Sequence, residues 1–118
     1  MDSVVSKIEK HGQVLTDYLQ AEADRRNNAL GNHLEYQVVA DTLRNHYQLV
    51  RLGWHGQKFI HFVLMHFDIK PDGKIWIQQN NTEILVGAEL TDRGVLASDI
   101  VVGFRPEYMR EASGYALR

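Results

Sequence analysis

Along the first part of the chain, Val4, Ile8, His11, Leu15, Tyr18, Leu19 and Glu22 recur at steps of three or four, with mostly polar residues between them. That period predicts a helix over residues 3–26, lying on a surface with one narrow face down. Asn27, Asn28, Gly31 and Asn32 are turn residues and should end it. The period then changes to two. In residues 34–42, Leu34, Tyr36, Val38 and Ala40 alternate with Glu35, Gln37 and Asp41, the mark of a half-buried strand. Residues 46–54 read as a second strand, with Gln48, Val50, Leu52 and Trp54 opposite Tyr47, Leu49 and Arg51. His55-Gly56-Gln57 makes a hairpin turn.

Residues 58–69, KFIHFVLMHFDI, are apolar in both registers. Strict alternation sets Phe59, Val63, Met65 and Phe67 with His61 on one face. It sets Ile60, Phe62 and Leu64 with His66 and Asp68 on the other. Such a strand should be central and covered on both sides. One helix covers one face; the C-terminal tail, a second helix or another copy of the chain must cover the second. Lys70-Pro71-Asp72-Gly73 is a turn: proline fixes its own φ and glycine supplies a positive one.

Residues 74–79 form the fourth strand, with Ile75 and Ile77 on one face and Trp76 and Gln78 on the other. Asn80 fits a helix N-cap, with Glu83 at capping-box spacing, for a helix over 82–94 that Gly94 closes. Gly87 inside it lowers helix propensity and permits close packing on the sheet. Residues 99–104 make a short final strand. The expected fold is α+β: an antiparallel four-stranded meander plus a short C-terminal strand, with an N-terminal helix and a second helix after strand 4. A length of 118 residues predicts one domain over 1–118.

Composition narrows the function. Hydrophobic residues make up 44% and charged residues 24%, ordinary for a globular chain. With no cysteine, disulfides, thiolate metal sites and a cysteine nucleophile are excluded. The net charge of −2 shows no basic excess of the kind that phosphate binding favours; Arg25–Arg26 is the basic pair. No apolar run approaches the roughly 18 residues of a membrane span, and the N-terminus lacks a signal-like apolar stretch. A cytoplasmic protein with no membrane association is expected.

Candidate chemistry is sparse. His66 and Asp68 point the same way on an ideal strand and could share an ion, but His61 points away, and two ligands are too few. No metal, cofactor or catalytic residue is therefore assigned. The histidines read as half-buried sheet residues, with His46 and His55 at the surface near turns. Asp41, Asp68, Asp72, Glu83 and Glu89 show no spacing that pairs two carboxylates for catalysis. Arg51, Lys58, Lys70 and Lys74, with Trp54 and Trp76 nearby, make at most a weak basic edge for single-stranded nucleic acid; solvated strand ends are the plainer reading. There is no phosphate-binding loop pattern. Trp76 is the most informative residue. If the Ile75–Ile77 face meets a helix, Trp76 lies opposite, on a face suited to docking or covered by the chain's own tail.

The segments HYQLVRLGW, HFDIKPDGKIWIQQNNTE, DRGVLASDIVVGFRPEY and SGYALR resemble the XisI family, the excision controlling factor-like proteins of cyanobacteria. The likeness runs from about residue 34 to the end. It departs at the extra Pro71, at Arg105 and Glu107 within Gly103-Phe104-Arg105-Pro106-Glu107-Tyr108, and at Ala112-Ser113. The resemblance implies a small α+β accessory protein of site-specific DNA-element excision in heterocyst development, working beside a recombinase and a XisH-like partner. The leading expectation is thus a non-enzymatic factor that binds protein, itself as a homo-oligomer or a XisH-like protein. Its candidate interaction surface is Trp54, Phe62, His66, Asp68, Trp76, Gln78, Arg105 and Tyr108. The alternatives are a direct nucleic-acid-binding protein and a small metal-dependent enzyme.

Overall fold

The computed structural model describes residues 3–118. Helix α1 spans Ser3–Asn27 and buries His11, Gly12, Leu15, Tyr18, Leu19, Glu22 and Ala23, the face that the helical period predicts. It lies close to the sheet at Gly12, where a Cβ would fall 2.7 Å from Tyr47 Oη. Arg25 and Arg26 in the last turn offset the negative end of the helix dipole and pair with Glu22 at 2.7 and 3.4 Å. Asn27 does more than end the helix. Its amide accepts from Tyr36 N at 2.8 Å and donates to Tyr36 O at 2.9 Å, closing part of the free edge of the first strand.

Strands β1 (Glu35–Asp41), β2 (His46–His55), β3 (Lys58–Ile69), β4 (Ile75–Asn80) and β5 (Ile100–Val102) form one sheet in the order β1-β2-β3-β4-β5. The first four pair antiparallel, as their short turns require. Helix α2 (Val86–Asp92) lies in the connection to β5, which pairs with β4 in parallel. Beyond β5 the chain makes helix α3 (Glu107–Arg110) and a 3-10 turn (Glu111–Ser113). The α+β order thus matches the expectation, with one parallel pair added.

Three local expectations are corrected. First, β3 does not alternate strictly. Leu49 pairs with Met65 but Val50 with Val63, so Leu64 is an extra residue in a β-bulge. Asn81 fastens it, donating its N–H to Leu64 O at 2.8 Å and its side-chain amide to Val63 O at 3.0 Å. Because β2 runs unbroken, the residues facing Gln48, Val50, Leu52 and Trp54 share one face: His66, Val63, His61 and Phe59. His61 therefore joins the His66 side, and Phe62 moves to the opposite side.

Second, the helix over 82–94 shrinks to Val86–Asp92. Asn80 does not cap it. Its Oδ1 accepts from Thr82 N and Thr82 Oγ1, its amide donates to Ile84 O, and Thr82 Oγ1 accepts from Ile84 N. Side-chain bonds of this kind hold the backbone in a non-helical loop. Gly94, with φ +96°, does close α2. Third, Gly87 packs closely, but on the tail and not on the sheet: a Cβ there would lie 2.5 Å from Tyr115 Oη.

Both long apolar surfaces meet on one side of the sheet. Tyr47, Leu49, Met65, Phe67, Ile69, Ile75, Ile77 and Ile100 are buried in a cluster with Leu15, Tyr18 and Leu19 of α1 and Val86 and Leu90 of α2. At roughly 1.5–3 kcal/mol per buried large apolar side chain, this is where the fold gains most. Polar ties fix the helices in place. Tyr18 Oη donates to Glu89 Oε1 at 2.7 Å, linking α1 to α2. Burial, reinforced by that carboxylate, pushes the Tyr18 phenol far above its ordinary value, so it stays a donor. His11 Nδ1 donates to Gly73 O at 2.7 Å, and Lys7 pairs with Asp99 at 3.1 Å, joining the start of α1 to the β3–β4 turn and the approach to β5.

A histidine–carboxylate cluster and an aromatic tip on the outer sheet face

With both α1 and α2 packed on one side, the other face of the sheet depends on its own side chains and the tail. The Asp68 carboxylate lies on that face near the end of β3, the central strand of the five. Cross-strand pairing sets His46 directly opposite Asp68, and His66 lies two residues along the same strand. Asp68 Oδ1 accepts from His46 Nδ1 at 2.7 Å and from His66 Nε2 at 2.9 Å. Its Oδ2 accepts from Gln78 Nε2 at 3.0 Å. Gln78 is itself the extra residue of a second bulge, where His66 pairs with Gln79 but Phe67 with Ile77. Burial disfavours the Asp68 charge, yet the hydrogen bonds from His46, Gln78 and His66 outweigh it and hold the carboxyl below its usual range. The cluster is open on one side: the side chains are 54% exposed at His46, 27% at His66 and 13% at Asp68.

Trp76 lies beside Asp68 in the next strand. The tail reaches it. The Arg110 guanidinium sits 4.9 Å above the Trp76 ring, donating from Nε to Arg105 O at 2.8 Å and Val102 O at 3.2 Å, and from a terminal nitrogen to Leu117 O at 2.9 Å. Gly103 makes the approach possible, since a Cβ there would fall 3.0 Å from the Trp76 ring and 2.5 Å from Gln78 Oε1. Past it, Ala116 donates to Ile100 O and bridges to Val101 at the sheet edge. Lys70 Nζ lies 5.6 Å from the same ring. Trp76 is thus half-buried under the chain's own tail.

The distal end of this face stays open. Trp54 is 62% exposed and Phe59 49% exposed, and their rings meet edge to face at 5.2 Å. Phe59 stacks in turn on His61. These residues sit at the tip of the β2–β3 hairpin, which runs beyond both neighbours: β1 stops pairing at Leu52, and β4 pairs only from Met65 onward.

Of the surface expected from sequence, Trp54, His66, Asp68, Trp76 and Gln78 come to one face. Phe62 does not. It faces the α1 side, where the Arg51 guanidinium lies 5.5 Å from its ring and 5.2 Å from that of Tyr36. Arg105 and Tyr108 lie exposed in the tail. The basic edge is not assembled: Arg51 is engaged on Tyr36 and Phe62, Lys70 on Trp76, and Lys74 on Asp72 and Arg118 O. The acids are equally dispersed. Asp41 accepts from the backbone of Leu43 and Arg44, Glu89 accepts from Tyr18, and Glu83 is exposed on the loop before α2. The residue that sequence reasoning left out of the site is His46. Its signal was present, a histidine at a strand start, but its partner depends on the register.

Comparison with known proteins gives a consistent result. The family described as "XisI protein" matches residues 5–117. A crystal structure of a XisI-like protein from Anabaena variabilis is 37% identical, covering 98% of this chain and 99% of that one, with a TM-score of 0.75. The fdxN element excision controlling factor XisI from the same organism is 22% identical over 95% of this chain and 99% of that one, with a TM-score of 0.77. No curated protein matches the chain.

Proposed function

Because the chain belongs to the XisI family, we propose that it is an accessory factor in the excision of a DNA element, acting by binding protein and not by catalysis. One structurally similar protein is an excision controlling factor, which supports the process. The exposed Trp54–Phe59 pair on the projecting β2–β3 hairpin carries the mode of action. Aromatic residues are enriched where protein interfaces are most tightly packed, and two of them held in contact at a hairpin tip are already ordered for docking. Asp41 holds a turn, Glu89 ties two helices and Arg51 lies on two rings, which supports binding over catalysis for these groups.

The partner is a second copy of the chain or a XisH-like protein. Light scattering on the eluting full chain, with co-expression and capture of a XisH-like protein, tests this. The expected result is a stable complex of one kind or the other, lost on Trp54→Ser with Phe59→Ser. A chain that stays monomeric at high concentration and captures no XisH-like protein overturns the reading. Salt-sensitive binding of the isolated chain to DNA carrying the element ends would replace it with direct DNA reading.

A further inference from the structure

We propose that His46, His66 and Asp68 form a binding site for a divalent transition-metal ion of the zinc class, on the outer face of the sheet. The sequence offers two ligands on one strand; the fold adds the third from the neighbouring strand. His46 Nδ1, His66 Nε2 and an Asp68 oxygen lie within 4.8 Å of one another. Metal–ligand bonds of about 2.0–2.1 Å in a tetrahedron set ligand atoms about 3.4 Å apart, so small side-chain rotations open the cluster around an ion. Two imidazoles and one carboxylate suit zinc and its neighbours, whereas magnesium prefers oxygen ligands.

The surroundings match a ligand set. Gln78 Nε2 holds Asp68 Oδ2 at 3.0 Å, leaving Oδ1 aimed between the two histidines. An outer partner of this kind orients a metal-binding carboxylate. His46 and His66 now turn those nitrogens, each carrying its proton, onto Oδ1. Binding moves each proton to the other ring nitrogen or, from a doubly protonated ring, to solvent. With three protein ligands and an exposed His46, the remaining coordination position faces outward. It is available to water or to a donor atom brought by a docked protein.

The test uses the full chain, stripped with chelator and titrated calorimetrically with Zn2+. One equivalent of zinc should bind and raise the melting temperature, with Mg2+ unable to compete. His46→Ala should weaken binding beyond the about 100-fold that loss of an outer partner can cost, and Gln78→Leu should weaken it by about tenfold. His61→Ala, on the same face but outside the cluster, should bind zinc as the parent does. His46 is exposed and Asp68→Asn is isosteric, so both variants should fold, which circular dichroism checks. Absence of stoichiometric uptake by the parent chain, or uptake that survives both His46→Ala and Asp68→Asn, overturns the site.

Discussion

At the scale of single residues, small side chains and amides decide where segments meet. Gly87 lets Tyr115 of the tail lie against α2; a Cβ would fall 2.5 Å from its hydroxyl and 2.6 Å from ring carbon Cζ. A rigid ring end cannot yield as a lysine tip can. Gly87→Ala should therefore cost about 1–3 kcal/mol, read by urea unfolding, despite the better helix propensity of alanine. In a Tyr115→Leu background the same change should cost measurably less, because the two residues share one contact. Tyr18→Phe removes the hydroxyl that joins α1 to α2 and leaves Glu89 without that donor. A loss of about 1–3 kcal/mol is expected, with the fold kept. Glycines and asparagines of this kind were legible as special positions, but not their partners. The spacing of Asn80 to Glu83 predicts a helix cap, yet Thr82 lies nearer and takes its carbonyl oxygen first.

At the scale of elements, turns and long apolar periods are written locally, and what depends on register is not. The stripe of α1 was legible because five of its members are buried against the sheet: His11, Leu15, Tyr18, Leu19 and Glu22. Leu19→Ala should cost about 2–5 kcal/mol in unfolding measurements, while Gln20→Ala, on the exposed side, should stay within about 0.5 kcal/mol. Equal effects would deny that the helix packs by this face. The bulge at Leu64 left no such mark. A β-bulge is one residue too many in an otherwise apolar run, and KFIHFVLMHFDI is apolar in either register. Counting from His55↔Lys58 in unbroken register would set His46 opposite Phe67, on the wrong face. The extra residue moves it opposite Asp68. The cluster on the outer face is thus a product of the bulge, which is why one strand read alone yields two ligands and the folded sheet yields three.

At the scale of the whole molecule, the sheet is covered unequally. The two main helices share one face, and the tail covers the β4–β5 end of the other, so the β2–β3 end is left exposed. The two-sided β3 predicts cover on both faces, and this is corrected: the tail reaches Trp76 on β4, while Phe59 and His61 on the outer face of β3 stay exposed and Val63, His66 and Asp68 half-buried. Arg110 is the fastening: one guanidinium lies on the Trp76 ring and donates to the carbonyls of Arg105, Val102 and Leu117. No other residue in the tail engages both Trp76 and the backbone on either side of α3 in this way among the described contacts. In a Trp54→Phe chain, whose remaining tryptophan is Trp76, Arg110→Ala should shift emission to the red and speed proteolysis after Val102. It should leave the core near its parent stability, since the buried cluster does not include Arg110. Unchanged emission would mean that the ring is shielded by the sheet alone. A red shift would show that the tail controls how far the apolar surface extends from the hairpin tip towards Asp68. A partner docking at Trp54 and Phe59 would then meet either a covered or a widened face, according to where the tail lies.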